Sequence, residues 1–202
     1  MAISVVTNLI LVARLYLPRW RQAWIEYRTA PPVERPGDHV RGAGAVTVIE
    51  YSDFQCPYCA SLNHTLASLA DSGQMRWVYR HYTGNTGHPQ SMNAAEAAEC
   101  AGEQGRFWQY ADALTIAQPH LAPALYPGIA AKLHLDPSRF RACLAAGKFK
   151  KVIARDAGES ETLAIMGTPT WFVNGKRHVG APAADVVQDV IAKARAAAAN
   201  RP

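Results

Sequence analysis

Two cysteines, Cys56 and Cys59, stand two residues apart between an apolar run and a helix-like run, and no other stretch constrains the chain as much. Before them lies Val46-Thr47-Val48-Ile49-Glu50-Tyr51, rich in β-branched side chains and short enough for a buried strand. After them, Leu62, Leu66 and Leu69 recur at helical spacing and predict a helix over 57–71. Pro57 then takes the first helical position and Cys56 lies near the N-cap. The unpaired N–H groups and the dipole at a helix start favour an anion there, and a Cys56 thiolate is the anion on offer. Such placement brings a cysteine pKa from about 8.5 into the range of roughly 3.5 to 7.5. Cys59, one turn further on, would lie deeper and act as the resolving thiol. Strand, C-x-x-C, helix is the redox form of this motif. A zinc site would need a second Cys/His pair at ligand spacing; Cys100 and Cys143 are isolated, so no metal is expected. A purely structural Cys56–Cys59 bridge would close too short a loop to remove much unfolded-state entropy.

The remaining sequence limits what surrounds this junction. A length of 202 residues suits one domain, or one domain with a short extension, and 49% hydrophobic residues can build a sizeable core. The net charge of +5 comes from scattered basic residues, with small clusters at Arg19/Arg21 and Lys148/Lys150/Lys151. No aromatic-basic ladder accompanies them, so nucleic acid is not an expected partner. Four cysteines are too few for a disulfide scaffold, but an even count with one reactive-looking pair fits an oxidising compartment.

Ala2–Ala13 is mostly apolar yet short for a membrane span, and Arg14, Trp20, Arg21, Trp24, Tyr27 and Arg28 follow it. Aromatic and arginine residues mixed in this way suit a membrane interface, so residues 1–28 read as an anchor or export segment. An amphipathic helix packing on the domain is the plain alternative. Residues 29–45, punctuated by Pro31, Pro32, Pro36, Gly37, Gly42 and Gly44, read as a linker, and 46–202 as the domain. Within it a second strand falls at 75–80. Five helical stretches follow over 89–166, with breaks at Gly105, Pro119, Pro137 and Gly147. Two short strands flank Asn174-Gly175, the strongest short-range hairpin signal, and a last helix opens at Pro182 or Ala183.

Phe54-x-Cys56-Pro57-x-Cys59 behind a strand, with Gly167-Thr168-Pro169-Thr170 before a later strand, resembles the DsbA-like branch of the thioredoxin superfamily. The resemblance implies an α/β thioredoxin fold with a helical insertion between its βαβ half and its C-terminal ββα half. It also implies thiol–disulfide exchange with protein substrates in the periplasm or another extracytoplasmic compartment, with no cofactor. A membrane partner that recycles the cysteines is a further implication. By the same resemblance Pro169 is cis and faces the C-x-x-C, leaving the Thr168 backbone to pair with an extended substrate. Pro57 and Tyr58 join Thr168 on the substrate-binding side.

Glu50 shares the more apolar face of its strand with Val46 and Val48, and burial without a charged partner would raise its pKa. An acid there, also present at the matching place in the family, would move the proton when Cys59 reacts. Cys100 and Cys143 are free buried thiols or, in an exported protein, a structural disulfide pinning the insertion. His81, His88 and Trp108 read as ordinary loop and core residues, with His88 the one that would border the site. The reading is a disulfide-forming oxidase; a reductase or isomerase, and more remotely a chaperone-like binding module, are the rivals. Tyr58 replaces the histidine of the strongest oxidants in the family and offers the thiolate only a weak donor. Tyr58→His should therefore lower the Cys56 pKa and raise the reduction potential, by about 30 mV for each 1.4 kcal/mol gained. Thiolate absorbance and glutathione equilibration measure the two quantities separately, and a pKa that falls at constant potential would break the link.

Overall fold

The structure is a computed structural model and describes residues 30–200. The expected segment at 1–28 lies outside the described residues. Among those described, no helix is long and apolar enough to cross a membrane.

The βαβ start of the domain forms as its patterning predicts. Strand β2 (Thr47–Ser52) leads through the cysteine loop into helix α1 (Pro57–Asp71), which returns to β3 (Arg76–His81), parallel to β2. The helical segment follows: α2 (Ser91–Gly102), α3 (Phe107–Ala117), a 3-10 turn at Gln118–His120, α4 (Leu125–Lys132), α5 (Pro137–Ala146) and α6 (Lys150–Thr162). The chain then closes with the hairpin β4 (Thr170–Val173) and β5 (Lys176–Val179) and with helix α7 (Ala184–Ala199). Asn174 and Gly175 both have positive φ, 46° and 87°, the geometry that an Asn-Gly turn serves.

One element departs from the sequence reading. Residues 39–42, inside the stretch read as linker, form strand β1 (His39–Gly42), antiparallel to β3 at the sheet edge, giving the order β1-β3-β2-β4-β5. Its glycine marks a close approach rather than flexibility. Gly42 has φ +81°, and a Cβ there would stand 2.5 Å from the carbonyl oxygens of Ala70 and Met75. The strand is also held by side chains that the linker reading gave no weight: Arg41 pairs with Asp71 and Asp112, both at 2.7 Å.

The two faces of the sheet bury different things. Val48, Trp77, Tyr79, Trp171 and Val173 pack on Leu62, Leu66 and Leu69 of α1 and on Val187 and Ile191 of α7. The same cluster runs on into Ala94, Phe107, Tyr110 and Phe140 of the helical segment. Thioredoxin part and insertion therefore share one core. The opposite face, with Ile49, Tyr51, Val78 and Phe172, is covered by Leu163 and Ile165. There the fully buried Arg80 binds Asp38 at 2.8 Å, Glu159 at 2.7 Å and the Val33 carbonyl at 2.6 Å, fastening residues 33–38 to β3 and α6. A buried cation needs this many partners to offset its desolvation.

Cys100 on α2 and Cys143 on α5 form a disulfide with 5.9 Å between Cα atoms. It closes a loop of 43 residues, worth about 4 kcal/mol in the chain-entropy model. Replacing both cysteines by alanine should lower the unfolding free energy by up to about that amount, read by denaturant titration with the Cys56–Cys59 pair left intact.

Candidate active site

Cys56 is the N-cap of α1 and Pro57 its first helical residue, so the sulfur sits at the mouth of the first turn. Both cysteines are free thiols; Cys56 is 3% exposed and Cys59 0%. Across from Cys56, the Thr168–Pro169 peptide bond is cis and the Cys56 thiol lies 3.5 Å from the Thr168 carbonyl oxygen. The Thr168 carbonyl is thus engaged with Cys56 in the dithiol state. The Cys56 pKa is lowered to about 5. The largest cause is the Cys59 thiol donating to the Cys56 sulfur; Thr168 and the N–H groups of Cys59 and Tyr58 add to it, against the opposing effect of burial. Those N–H groups act from the helix start without closing a capping hydrogen bond. The Tyr58 side chain is 69% exposed and contributes only its backbone.

Cys59 shifts the other way. Burial comes first in raising its pKa well above the ordinary range, followed by its bond to Cys56 and the nearby Glu50 carboxylate. The Asp53 N–H approaches its sulfur from the backbone, at 3.5 Å. The two thiols are therefore set apart in opposite directions, Cys56 toward the thiolate and Cys59 toward the thiol.

Glu50 lies in the middle of β2 with no exposure, between Trp77 on β3 and Asn63 on α1. Trp77 Nε1 donates to it at 3.0 Å. The Asn63 amide is assigned by its partners, all of which are acceptors: with its nitrogen toward them it donates to Glu50 Oε1 at 2.9 Å, Oε2 at 3.0 Å and the Cys59 carbonyl at 3.0 Å, one of its two hydrogens being shared. Burial raises the Glu50 pKa to about 8; the Ser52 hydroxyl, close but without hydrogen-bond geometry, and Trp77 offset it only in part.

Asp53, which sequence reasoning passed over, organises the loop between strand and helix. Its carboxylate accepts from Gln55 N–H at 2.8 Å, and its carbonyl accepts from Cys56 N–H at 3.0 Å. His88 Nδ1 meets the other carboxylate oxygen at 2.7 Å. Gln55 is clasped as well: its side-chain oxygen accepts from Gln90 N–H at 2.6 Å, and Gln118 Nε2 donates to its carbonyl at 2.6 Å. His88 thus reaches the site through Asp53. His81 turns elsewhere, to Glu99 at 2.9 Å, and Trp108 packs on Trp77 in the core. An Asp just ahead of a C-x-x-C, with N–H groups to cap, is the signal that could have found Asp53. Cys100 and Cys143 belong to the insertion and stand apart from these contacts.

The lowered Cys56 pKa carries a stability consequence for the dithiol protein. A thiolate favoured in the folded state contributes stability in full above about pH 9, and that contribution is lost as the pH falls through about 5. The disulfide form has no such group. The melting temperature of the reduced form relative to the oxidised form should therefore drop from pH 9 to pH 5, and the thiolate absorbance of the folded protein should persist down to a midpoint near pH 5.

Comparison with known proteins agrees with this geometry. The family described as thioredoxin matches residues 34–193. Curated relatives named Na(+)/H(+) antiporter are 41% identical over 85% of this chain in Salinispora arenicola and 34% identical over 92% in Herminiimonas arsenicoxydans. The chain spans only 27% and 30% of their lengths. Among solved structures, a thioredoxin-like oxidoreductase from Silicibacter pomeroyi is 28% identical with a TM-score of 0.68, covering 80% of this chain and 94% of that one. The α-DsbA1 of Wolbachia pipientis is 23% identical with a TM-score of 0.71, covering 82% and 94%. The chain belongs to the thioredoxin family, and its fold is that of the DsbA-like thiol–disulfide oxidoreductases.

Proposed function

We propose that this oxidoreductase forms disulfides in protein substrates outside the cytoplasm, using Cys56 as the exchanging sulfur and Cys59 as its internal partner. The observation that carries the direction is the opposed pull on the two thiols, with Cys56 lowered to about 5 and Cys59 raised. A thiolate stabilised in the dithiol form makes the corresponding disulfide easier to reduce, and hence a stronger oxidant.

In this reading a substrate thiolate attacks Cys56 of the Cys56–Cys59 disulfide. The new bond joins substrate and Cys56 sulfurs, the Cys56–Cys59 bond breaks, and Cys59 leaves with the electron pair. Glu50, protonated at neutral pH with its pKa near 8, gives Cys59 its proton. A second substrate thiolate then attacks the substrate sulfur of the mixed disulfide and Cys56 departs as the stabilised thiolate. The substrate loses two electrons and the enzyme gains them. Cys59 and Glu50 run the same steps backward when the pair is reoxidised, a task for a membrane redox partner in this reading.

Substrate docking follows from the rim. Tyr58, Met166 and Val179 are 69%, 92% and 72% exposed. Tyr58 adjoins Cys56 in sequence, Met166 leads into the Thr168–Pro169 turn, and Val179 pairs with Thr170. Large apolar side chains left in water around a reactive sulfur suit unfolded, cysteine-bearing polypeptides. An extracytoplasmic setting is supported by the Cys100–Cys143 bridge, since such bonds persist in oxidising compartments. Tethering at a membrane is part of the proposal, supported by the apolar run Ala2–Ala13 and by relatives named as antiporters.

Equilibration with glutathione tests the direction. A potential near or above about −180 mV is expected, whereas a value close to about −270 mV would make the protein a reductase. Cys59→Ser, whose Cys56 thiolate can attack a disulfide but not be released by a neighbour, should accumulate mixed disulfides with an unfolded, disulfide-scrambled substrate protein, and Cys56→Ser should accumulate none. Trapping by Cys56→Ser alone would reverse the roles of the two sulfurs.

A further inference from the structure

Glu50 needs something to keep it usable as a base as well as an acid, because burial alone would hold it protonated. Its hydrogen-bonding surroundings contain no cation among the described residues. The titratable groups facing it are Cys56 and Cys59 from α1 and Tyr79 from β3, all of which disfavour a carboxylate when ionised. Ser52 and Trp171 complete the wall from β2 and β4, and the Trp77 indole supplies one neutral donor. The remaining donor is Asn63, one helical turn beyond Cys59.

We infer that Asn63 is a positioning residue for the Cys59 step: its amide fixes the Glu50 carboxylate against the Cys59 turn and sets the pH at which Glu50 can take the Cys59 proton. The inference rests on the exchange role proposed above for Cys59 and Glu50. The geometry is a fork. With the amide turned as its all-acceptor surroundings require, one nitrogen reaches both Glu50 oxygens and the Cys59 carbonyl at 2.9 to 3.0 Å. An NH2 group can only donate, so its bonds to Glu50 favour the ionised carboxylate. Its bond to the Cys59 carbonyl ties the acid to the backbone of the thiol it serves.

The far side of Asn63 strengthens the assignment. Asn63 is 5% exposed and lines a cleft of about 350 Å3 between α1 and α3, shared with Arg41, His64, Asp71, Asp112 and Ile116. It is therefore the wall between that cleft and Glu50. A small substituent would open this wall and let solvent replace the lost donor. A fair test fills the position with an apolar side chain of similar size.

Asn63→Leu and Asn63→Met serve, two variants so that one that fails to fold leaves the other. In the reduced protein, the carbon-13 signal of the Glu50 carboxyl should titrate about one pH unit higher than in wild type, a tenfold drop in the ionised fraction near neutrality. The Cys59 step is read by acid quench and mass spectrometry, as decay of the mixed disulfide formed with oxidised glutathione. Its pH profile should move alkaline by the same amount, and Glu50→Gln should remove that pH break. A Glu50 midpoint unchanged in the folded variants overturns the inference. Glu50→Gln leaving the Cys59 profile intact overturns instead the proton role on which the inference rests.

Discussion

A carboxylic acid occupies the middle of a sheet face where a valine would pack with less cost, and much of the local architecture answers to that one side chain. Glu50 is buried beside Val48, Trp77 and Trp171, and burial raises its pKa to about 8, with no cation among the described residues to offset it. Desolvation of an ionised carboxylate is among the largest penalties a core can contain, and the usual remedy is neutralisation by a proton. In the proposed exchange that remedy is the useful one. A group near pH 8 can donate at neutrality and accept after a small change in its partners, which a fully ion-paired carboxylate could not do. The neutral donors from β3 and α1 hold the oxygens in place without removing this freedom.

The helical insertion does more than cover the sheet. It supplies His88 to Asp53 and Gln90 and Gln118 to Gln55, so two of the three residues before Cys56 are held from outside the thioredoxin core. A loop that must present one sulfur outward and keep the next one inward needs its backbone fixed on both sides of the N-cap. α1 fixes one side and the insertion fixes the other. The shared core and the α2–α5 disulfide make that grip rigid, because the clasping residues stand on or beside helices whose spacing the crosslink restrains.

Much of this was legible in the sequence where the signal is local. Pro57 and the leucine spacing placed α1 at its observed bounds, and Asn174-Gly175 placed the hairpin between β4 and β5. Strand β1 was missed because His39-Val40-Arg41-Gly42 has little apolar content and sits among prolines and glycines. What makes it a strand is pairing with β3 and the reach of Arg41 to residues 30 and 71 positions away. Asn63 and Asp53 escaped for a similar reason, and His88, expected only to border the site, was not tied to Asp53. Their partners lie 13 to 35 positions off in sequence, or are backbone groups whose direction only the fold decides. Glu50 was found because a charged residue in an apolar strand is anomalous on its own face, whereas an asparagine on a helix is not.

The two residues between the cysteines set less of the site's electrostatics than their place in the motif suggests. Tyr58 turns its ring to water, and the chain stabilises the Cys56 sulfur without it, through the Cys59 thiol, Thr168 and N–H groups of the first turn. These are fixed by backbone geometry and by the burial of Cys59, so they persist whatever side chain follows Pro57. A donor added there would act on a thiolate already favoured and already neighboured by a carbonyl, so its effect is an increment on an existing asymmetry. The asymmetry itself comes from depth. One sulfur meets the open end of a helix, the other meets a protonatable acid behind it, and in the proposed exchange the electron pair comes to rest on the outer sulfur, where the helix start favours it.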